Sequence, residues 1–398
     1  MNRFSIIFLT AALTACTAKA PLYYDVVRSE MERNPKASYI DGQEGKLKWN
    51  YTTGLELKSI LDVYCLTGKK DKALLEYVDS WYDAIISPNG EIGGKYKLSN
   101  YSLDHICPGN TLFTLYDLTR KDKYRLAMDY VYRQLLEQPR NDEGGFWHKQ
   151  IYPGQMWLDG LYMAQPFYAM YTSRYSPPFL KANNFEDIIS QFDLAFSHCL
   201  DTQTGLLRHA WDSSLASNWC DPANGQSAHA WGRALGWYCM ALVDVIEILD
   251  KNEDFISPTN VGRLKIQLKF ILNSLKKYSD PATGMWYQVL DRPGQEGNYL
   301  EASCSAMFSY AISKAYNLHI IDDIAYARKS YEGLIKTFVS KDSKGLTDFG
   351  PCCEVAGLGG KQNRSGDYEY YIHERVRAND PKGIGPLIWA AIEYEKIK

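Results

Sequence analysis

Trp157-Leu158-Asp159-Gly160-Leu161-Tyr162-Met163-Ala164-Gln165-Pro166-Phe167 sets an acid between a tryptophan and the start of an almost wholly apolar helix. A helix that is apolar on every side belongs in a core, not on a surface. Asp159 then stands at the mouth of a buried helix, where desolvation can lift a carboxyl toward the range useful for acid catalysis. The competing reading is an N-cap, because Asp accepts backbone N–H bonds well there. The rest of the chain has to decide between them.

Working outward, six segments share that character: roughly Tyr51–Leu66, Pro108–Leu118, Asp159–Tyr171, Trp231–Leu249, Leu300–Tyr316 and Gly383–Lys396. Each follows a loop rich in Gly, Asp, Trp or Tyr and then turns strongly apolar. Amphipathic helices alternate with them, at roughly Tyr23–Arg33, Asp71–Ile86, Asp122–Gln138, Phe185–Leu200, Val261–Tyr278 and Ile324–Val339. The loops repeat loosely too: Gly144-Gly145-Phe146-Trp147-His148, Thr204-Gly205-Leu206-Leu207-Arg208-His209, Thr283-Gly284-Met285-Trp286-Tyr287 and Lys344-Gly345-Leu346-Thr347-Asp348 each precede an apolar helix. Their spacing is irregular and longer than the period of a tetratricopeptide array. Six buried and six exposed helices close into an all-α double toroid, an (α/α)6 barrel with the apolar set inside. An open solenoid with a concave face is the other architecture open to this pattern. The pattern covers residues 21–398 as one domain with no linker.

The formal net charge of -3 gives no reason to expect nucleic acid or an anionic membrane as partner. The chain carries 30 Tyr and 10 Trp, many near turns, and such flat faces with polar tips suit sugars as well as cores. Asn2 and Arg3 precede the apolar run Phe4–Ala12, which is too short to span a bilayer, and Leu13-Thr14-Ala15-Cys16 follows it. Residues 1–16 thus read as a bacterial lipoprotein signal whose Cys16 takes the lipid. The expected location is the cell envelope, with membrane contact only through that lipid. An ordinary cleaved secretory peptide is the alternative. Among the other cysteines, Cys65, Cys199, Cys239 and Cys304 fall in helical patterns and read as small core residues, and no C-x-x-C pair exists for zinc. Whether Cys352 or Cys353 forms a disulfide is open.

In a closed toroid the loops leading into the inner helices gather at one end. Leu103-Asp104-His105 leads into the second inner helix, so Asp104 and Asp159 make a candidate acid/base pair, a second negative charge helping to keep one carboxyl protonated. Paired carboxylates dominate glycoside hydrolysis. Capping or a turn is the bland reading of Asp104. Arg233, in His229-Ala230-Trp231-Gly232-Arg233-Ala234-Leu235-Gly236-Trp237, has to meet an internal carboxylate or that of a ligand, since an unpaired guanidinium is expensive in an apolar helix. Trp237, four residues on, shares its face and is either a sugar clamp or core. His148 and His209 occupy corresponding loops before the third and fourth inner helices. The histidine spacing offers no ligand pair, and no Walker loop, Rossmann fingerprint or serine elbow stands in the right context. No metal and no cofactor are expected, and carboxylate chemistry is the main option.

These motifs resemble the unsaturated rhamnogalacturonyl hydrolases, a glycoside hydrolase family with a six-fold double toroid of helices. The resemblance rests on Trp157-x-Asp159 with Gly160-Leu161-Tyr162-Met163, on Arg233-x-x-Gly236-Trp237, and on Leu103-Asp104 ahead of a Gly-led helix. Glu301-Ala302-Ser303-Cys304-Ser305-Ala306-Met307-Phe308 is similar to the family's small-residue helix start. It implies Asp159 as general acid/base, Asp104 as its carboxylate neighbour, and His148, His209, Arg233, Trp157, Trp237 and Tyr51 as the lining of the substrate pocket. A residue often polar in the family is Leu235 here, which bears on fine substrate preference.

The implied substrate is the non-reducing 4,5-unsaturated uronic acid left by a polysaccharide lyase, galacturonyl on rhamnogalacturonan. The implied reaction is hydration of its enol ether by one carboxyl in two protonation states. Three other readings stay open. One is an unsaturated glucuronyl hydrolase acting on glycosaminoglycan-type products. Another is an inverting hydrolase of intact glycans. The third is a non-catalytic surface glycan-binding lipoprotein.

Overall fold

The computed structural model describes residues 20–397. The signal and lipobox reading, Cys16 included, lies outside the described residues. Among the described residues thirteen α-helices follow one another: α1 (Leu22–Arg33), α2 (Tyr51–Leu66), α3 (Lys72–Ile85), α4 (Gly109–Thr119), α5 (Asp122–Glu137), α6 (Leu158–Tyr175), α7 (Pro178–Cys199), α8 (Gly232–Leu249), α9 (Pro258–Lys277), α10 (Ala302–Asn317), α11 (Ile324–Phe338), the short α12 (Tyr368–His373) and α13 (Pro381–Glu395). The six apolar helices pack in a closed ring, α2 on α4, α4 on α6, α6 on α8, α8 on α10, α10 on α13 and α13 back on α2. Each amphipathic helix packs outside an inner one: α3 on α2, α5 on α4, α7 on α6, α9 on α8, α11 on α10 and α1 on α13. The ring therefore closes as an (α/α)6 barrel, and the open solenoid is not what forms. Among the described residues, no helix is long and apolar enough to cross a membrane.

Apolar content explains the sorting. Nearly every residue of α8, Arg233 included, is buried, whereas α5 and α11 bury one stripe each. α6 runs on to Tyr175 and α9 starts at Pro258, a few residues outside the sequence reading, and the largest difference is the start of α7. α7 starts at Pro178, about two turns before Phe185, because proline at the first helical position is pre-organised for the helix although Leu180–Asn184 carries little periodicity. The eight cysteines from Cys65 onward are free thiols; Cys352 and Cys353 are buried and form no disulfide, and Cys65 is only half-buried.

The connections from outer to inner helices are tight turns that bring the chain back to one end of the barrel. Asn141 Oδ1 accepts from the Gly145 amide at 2.8 Å and Asp342 Oδ1 from the Leu346 amide at 2.9 Å, while Gly144 and Gly345 take φ of 89° and 80° at the bend. The following segments are stitched around the mouth by backbone hydrogen bonds: Leu103 N to His148 O, His148 N to Gln155 O, Leu158 N to His209 O, His209 N to His229 O, Gly232 N to Gln288 O, and Ala302 N to Pro351 O, all at 2.8–3.1 Å. A short antiparallel ladder, Gln155–Trp157 against Ala210–Asp212, is part of that belt.

Candidate active site

Helix starts decide the question raised by Asp159. The N-cap of α6 is Trp157, which makes no side-chain cap, and Asp159 already lies in the first turn. The N-cap of α4 is Pro108, and Asp104 sits upstream in a 3-10 turn spanning Leu103–His105. Capping of the inner helices falls instead to Asn50, Glu301 and Asp380 at α2, α10 and α13. Neither carboxylate is therefore engaged as a cap, and both are left to the mouth.

The belt sets their neighbours. Since Leu158 N bonds to His209 O, the imidazole of His209 comes beside Asp159, with Nε2 3.3 Å from Oδ2. Behind it, His209 Nδ1 lies 2.7 Å from the hydroxyl of Tyr371, on α12. Burial, with the nearby Tyr370 and Asp159, lifts the Tyr371 phenol well above its ordinary value, so its hydroxyl keeps a proton to donate. Asp159 keeps its side chain 14% exposed, and Oδ2 has no hydrogen-bond partner.

Asp104 has a different environment. Lys149 Nζ stands 2.5 Å from its Oδ2 and His148 Nε2 3.5 Å from its Oδ1. Burial raises the Asp104 carboxyl, but the charges of Lys149 and His148 and the Lys149 hydrogen bond hold it below the usual carboxylate value. Burial pushes His148 down to about 4 against the pull of Asp104, leaving a neutral imidazole near pH 7. Asp104 and Asp159 both act on Tyr51, His148 and Lys149, which places the two acids around one space. Gly160 makes the close approach of the loop possible: a Cβ there would meet Leu103 Cδ1 at 2.9 Å and His148 Nδ1 at 3.2 Å.

Aromatic rings wall the space. His148 stacks on Trp157 at 4.6 Å and Tyr152 on Trp157 at 5.0 Å, with His209 edge-on to the same indole at 5.3 Å. Tyr51 meets Trp237 edge-on at 6.3 Å, and the far side of Trp237 stacks at 4.9 Å on Tyr162, which faces the opposite end of the barrel. Among the described residues, no group of three or more His, Cys, Asp or Glu is arranged to hold a metal ion.

The profile of the family described as Glycosyl Hydrolase Family 88 matches residues 23–398. The chain belongs to that family. The family 88 chain is also 40% identical to a family 105 glycoside hydrolase of C. acetobutylicum ATCC 824, with a TM-score of 0.87 over 95% of this chain and 100% of that one. It is 34% identical over 239 residues to Protein Atu3128 of Agrobacterium fabrum (strain C58 / ATCC 33970), covering 58% of this chain and 97% of the relative. An unsaturated glucuronyl hydrolase from Bacillus sp. GL1, described as responsible for the degradation of glycosaminoglycan, shares the fold at a TM-score of 0.64 and 13% identity, over 94% of this chain and 95% of that one. The resemblance carried by Trp157-x-Asp159 and Arg233-x-x-Gly236-Trp237 stands, and the chain is a glycoside hydrolase of families 88 and 105.

Arg233 of the family 88 chain meets an internal carboxylate. It is 1% exposed, and its Nη2 lies 3.4 Å from Glu301 Oε1, itself fully buried. Nε donates to Ser303 Oγ at 2.8 Å, and Nη2 also donates to the Cys353 carbonyl. Glu301 in turn accepts from the amides of Cys304 and Cys353 at 2.7 and 2.8 Å. The pair thus ties α8, α10 and the Cys352–Cys353 strand together beneath the mouth. Close packing of α8 on α10 explains the small residues of both, since a Cβ on Gly236 would meet Met307 Sδ at 2.7 Å.

Lys149, Tyr152, Tyr371 and Glu301 join the site without having been singled out in the sequence. Lys149 adjoins His148, and Glu301 was noted only as the head of a helix. Tyr371 had no local signal at all.

A cavity of about 500 Å³ opens at the other end of the barrel, lined by the C-terminal turns of inner helices. Its charges neutralise one another: Lys314 with Asp244 and Glu247, Lys58 with Asp62, Lys396 with Glu393, Lys251 with Glu247, and Arg174 with Asp117 outside it. Asp159 Oδ2 and His209 Nε2, neither with a hydrogen-bond partner, lie at the opposite end.

Proposed function

We propose that this glycoside hydrolase removes the non-reducing 4,5-unsaturated galacturonyl residue from lyase-generated rhamnogalacturonan oligosaccharides by hydrating the C4=C5 enol ether. The observation that carries the reading is Asp159 itself, an uncapped first-turn acid whose Oδ2 faces only His209 Nε2, at 3.3 Å, inside an aromatic wall. The amino ends of the six inner helices converge on the same mouth, and their partial positive charges favour an anionic substrate such as a uronate.

In this mechanism Asp159 gives its proton to C4, and oxocarbenium character develops over C5 and the ring oxygen. The resulting carboxylate takes a proton from water as the water adds to C5. The hemiketal so formed opens, and the neighbouring sugar leaves. One group acts as acid and then as base, a role worth about 10²–10⁴-fold in rate. His209 Nε2, positioned by Tyr371, donates to the Asp159 carboxylate in the second stage. Asp104, held charged by Lys149, is the fixed carboxylate on the other side of the same space. Trp157, His148 and Tyr51 line the sugar's place, Trp237, 1% exposed, backs Tyr51, and the buried Arg233–Glu301 pair braces α8 against α10 beneath them.

The identity of 40% with a family 105 glycoside hydrolase supports an unsaturated-uronyl substrate, and the galacturonyl reading rests on Trp157-x-Asp159 and Arg233-x-x-Gly236-Trp237. The ultraviolet absorbance of an unsaturated galacturonyl-rhamnose disaccharide, followed with wild type and Asp159→Asn, is the test. The signal is expected to vanish with wild type and to persist with the variant. Loss at equal rates with both would remove Asp159 from the chemistry, and no loss with either would reject the substrate. The Leu13-Thr14-Ala15-Cys16 motif supports acylation at Cys16 and attachment to the cell envelope. Labelling by a radioactive fatty acid in wild type and not in Cys16→Ala tests it.

A further inference from the structure

The segment between the strand Cys352–Cys353 and α12 folds over the outer edge of the aromatic wall. It carries one arginine whose chemistry the mechanism above does not use. Arg364 is half-buried, and among the described residues no carboxylate lies within 4 Å of it. Its Nε donates to the Gly359 carbonyl at 3.1 Å, and Nη2 donates to the Leu358 carbonyl and the Tyr152 hydroxyl, both at 3.3 Å. Nη1 has no partner. A half-buried guanidinium without a counter-ion is costly, and its planar fork is matched by a carboxylate or sulfate.

The surroundings are built around this group. A Cβ on Gly357 would lie 2.5 Å from Nη1, so a side chain there would displace the guanidinium. Gly359 and Gly360, at φ of 53° and 71°, lay bare backbone against Trp219 and Tyr152, where added Cβ atoms would come to 3.3 and 3.1 Å. Trp219 is 4% exposed and its Nε1 has no hydrogen-bond partner. Trp219, Tyr152, Trp157 and Leu358 form one apolar cluster. Tyr152 stacks on Trp157, two residues from Asp159, so Arg364 is joined to the neighbourhood of the reacting centre through that stack.

We propose that Arg364, with Tyr152 and the Trp219 indole, forms a leaving-side subsite that holds an anionic group of the departing chain. This rests on the unsaturated-uronyl reading above. With the unsaturated sugar at Asp159, the first leaving sugar lies along Trp157 and Tyr152, and the guanidinium receives a negative group carried by that sugar or by the next. In rhamnogalacturonan that group is the carboxylate of the next galacturonate; in a glycosaminoglycan fragment it is a sulfate.

The test compares kcat/KM of wild type, Arg364→Gln and Arg364→Lys on four substrates. Two are the unsaturated galacturonyl-rhamnose disaccharide and the tetrasaccharide that adds galacturonate and rhamnose to it. The others are an unsaturated glucuronyl-N-acetylgalactosamine with and without sulfate. Wild type is expected to favour the tetrasaccharide through KM, and Arg364→Gln to cut that preference about ten-fold or more, as loss of a charged hydrogen bond does. Arg364→Lys should keep part of it. A preference confined to the sulfated substrate assigns the subsite to sulfate instead. An unchanged preference in Arg364→Gln overturns the proposal, and so does a wild type indifferent to both anions. Wild type inert on all four rejects the unsaturated-uronyl reading. Arg364 is then judged by calorimetric binding of a saturated rhamnogalacturonan tetrasaccharide: weaker binding to Arg364→Gln keeps the subsite, and equal or absent binding removes it.

Discussion

His209 Nε2 lies 3.3 Å from Asp159 Oδ2 while the other ring nitrogen, Nδ1, lies 2.7 Å from the Tyr371 hydroxyl. The order of donors along this line follows from the phenol. The Tyr371 phenol, raised by burial, keeps its proton; with that hydroxyl as donor to Nδ1, the ring proton sits on Nε2, beside the carboxylate. Tyr371→Phe keeps the shape and frees the tautomer. Its kcat is expected to fall about ten- to hundred-fold with little change in KM, on the scale set by losing one oriented hydrogen bond in catalysis. Steady-state kinetics with a melting temperature for each protein checks this, and a KM effect alone would count against a tautomer-setting role.

His148 gives stability a pH dependence whose sign can be worked out. Its imidazole is held near 4 when folded, against 6.5 when free, so between those values the unfolded chain binds the extra proton. Stability from this group is fully present above about 6.5 and is lost as pH falls toward 4. The difference is about 3 kcal/mol. His105, also depressed by burial, adds in the same direction, and Asp104 does so at lower pH, below the ordinary carboxylate value. Urea denaturation of wild type and His148→Gln from pH 7 to 4 should show a shallower decline in the variant. Parallel curves would mean that His148 is not held neutral.

Gly160→Ala tests the spacing between α6 and the loop that carries Asp104 and His148. Alanine is the better helix former by about 1 kcal/mol, but its methyl crowds Leu103 and the His148 ring. Overpacking of this kind costs about 1–3 kcal/mol, so the net change in stability is expected to be small. Activity should fall about ten-fold or more, because displacement of catalytic neighbours by fractions of an ångström is enough. A variant with wild-type kcat would show that the close approach serves packing only.

The sequence made the helix sorting legible because apolar runs and amphipathic runs differ in every register, and the inner ranges around Tyr51–Leu66 and Trp231–Leu249 match the observed helices. Asp159, Asp104, His148 and His209 were legible as residues at helix mouths, since closure of the ring brings such positions together. What stayed hidden were pairings through space. Nothing near Arg233 announces Glu301, 68 residues away, and nothing near His209 announces Tyr371, 162 residues away. The start of α7 was missed for a different reason, because proline fixes a helix start that periodicity does not reveal.

The Arg233–Glu301 pair carries the last prediction. Both side chains are fully buried, and Glu301 also accepts the Cys304 and Cys353 amides and the Ser303 hydroxyl. Removing one partner leaves an uncompensated charge in an apolar ring, which costs about 3–5 kcal/mol. Glu301→Ala should therefore lower stability by that amount and reduce soluble yield. Replacing both, as Arg233→Met with Glu301→Leu, removes both charges together and should recover part of the loss, although the Cys304 and Cys353 amides lose their acceptor. A double variant no more stable than Glu301→Ala would place the contribution of Glu301 in those amides and not in the guanidinium. Chemical denaturation of the three proteins separates the two outcomes. Activity of the double variant then shows whether Arg233 acts on substrate or only supports the floor under Trp231 and Trp237.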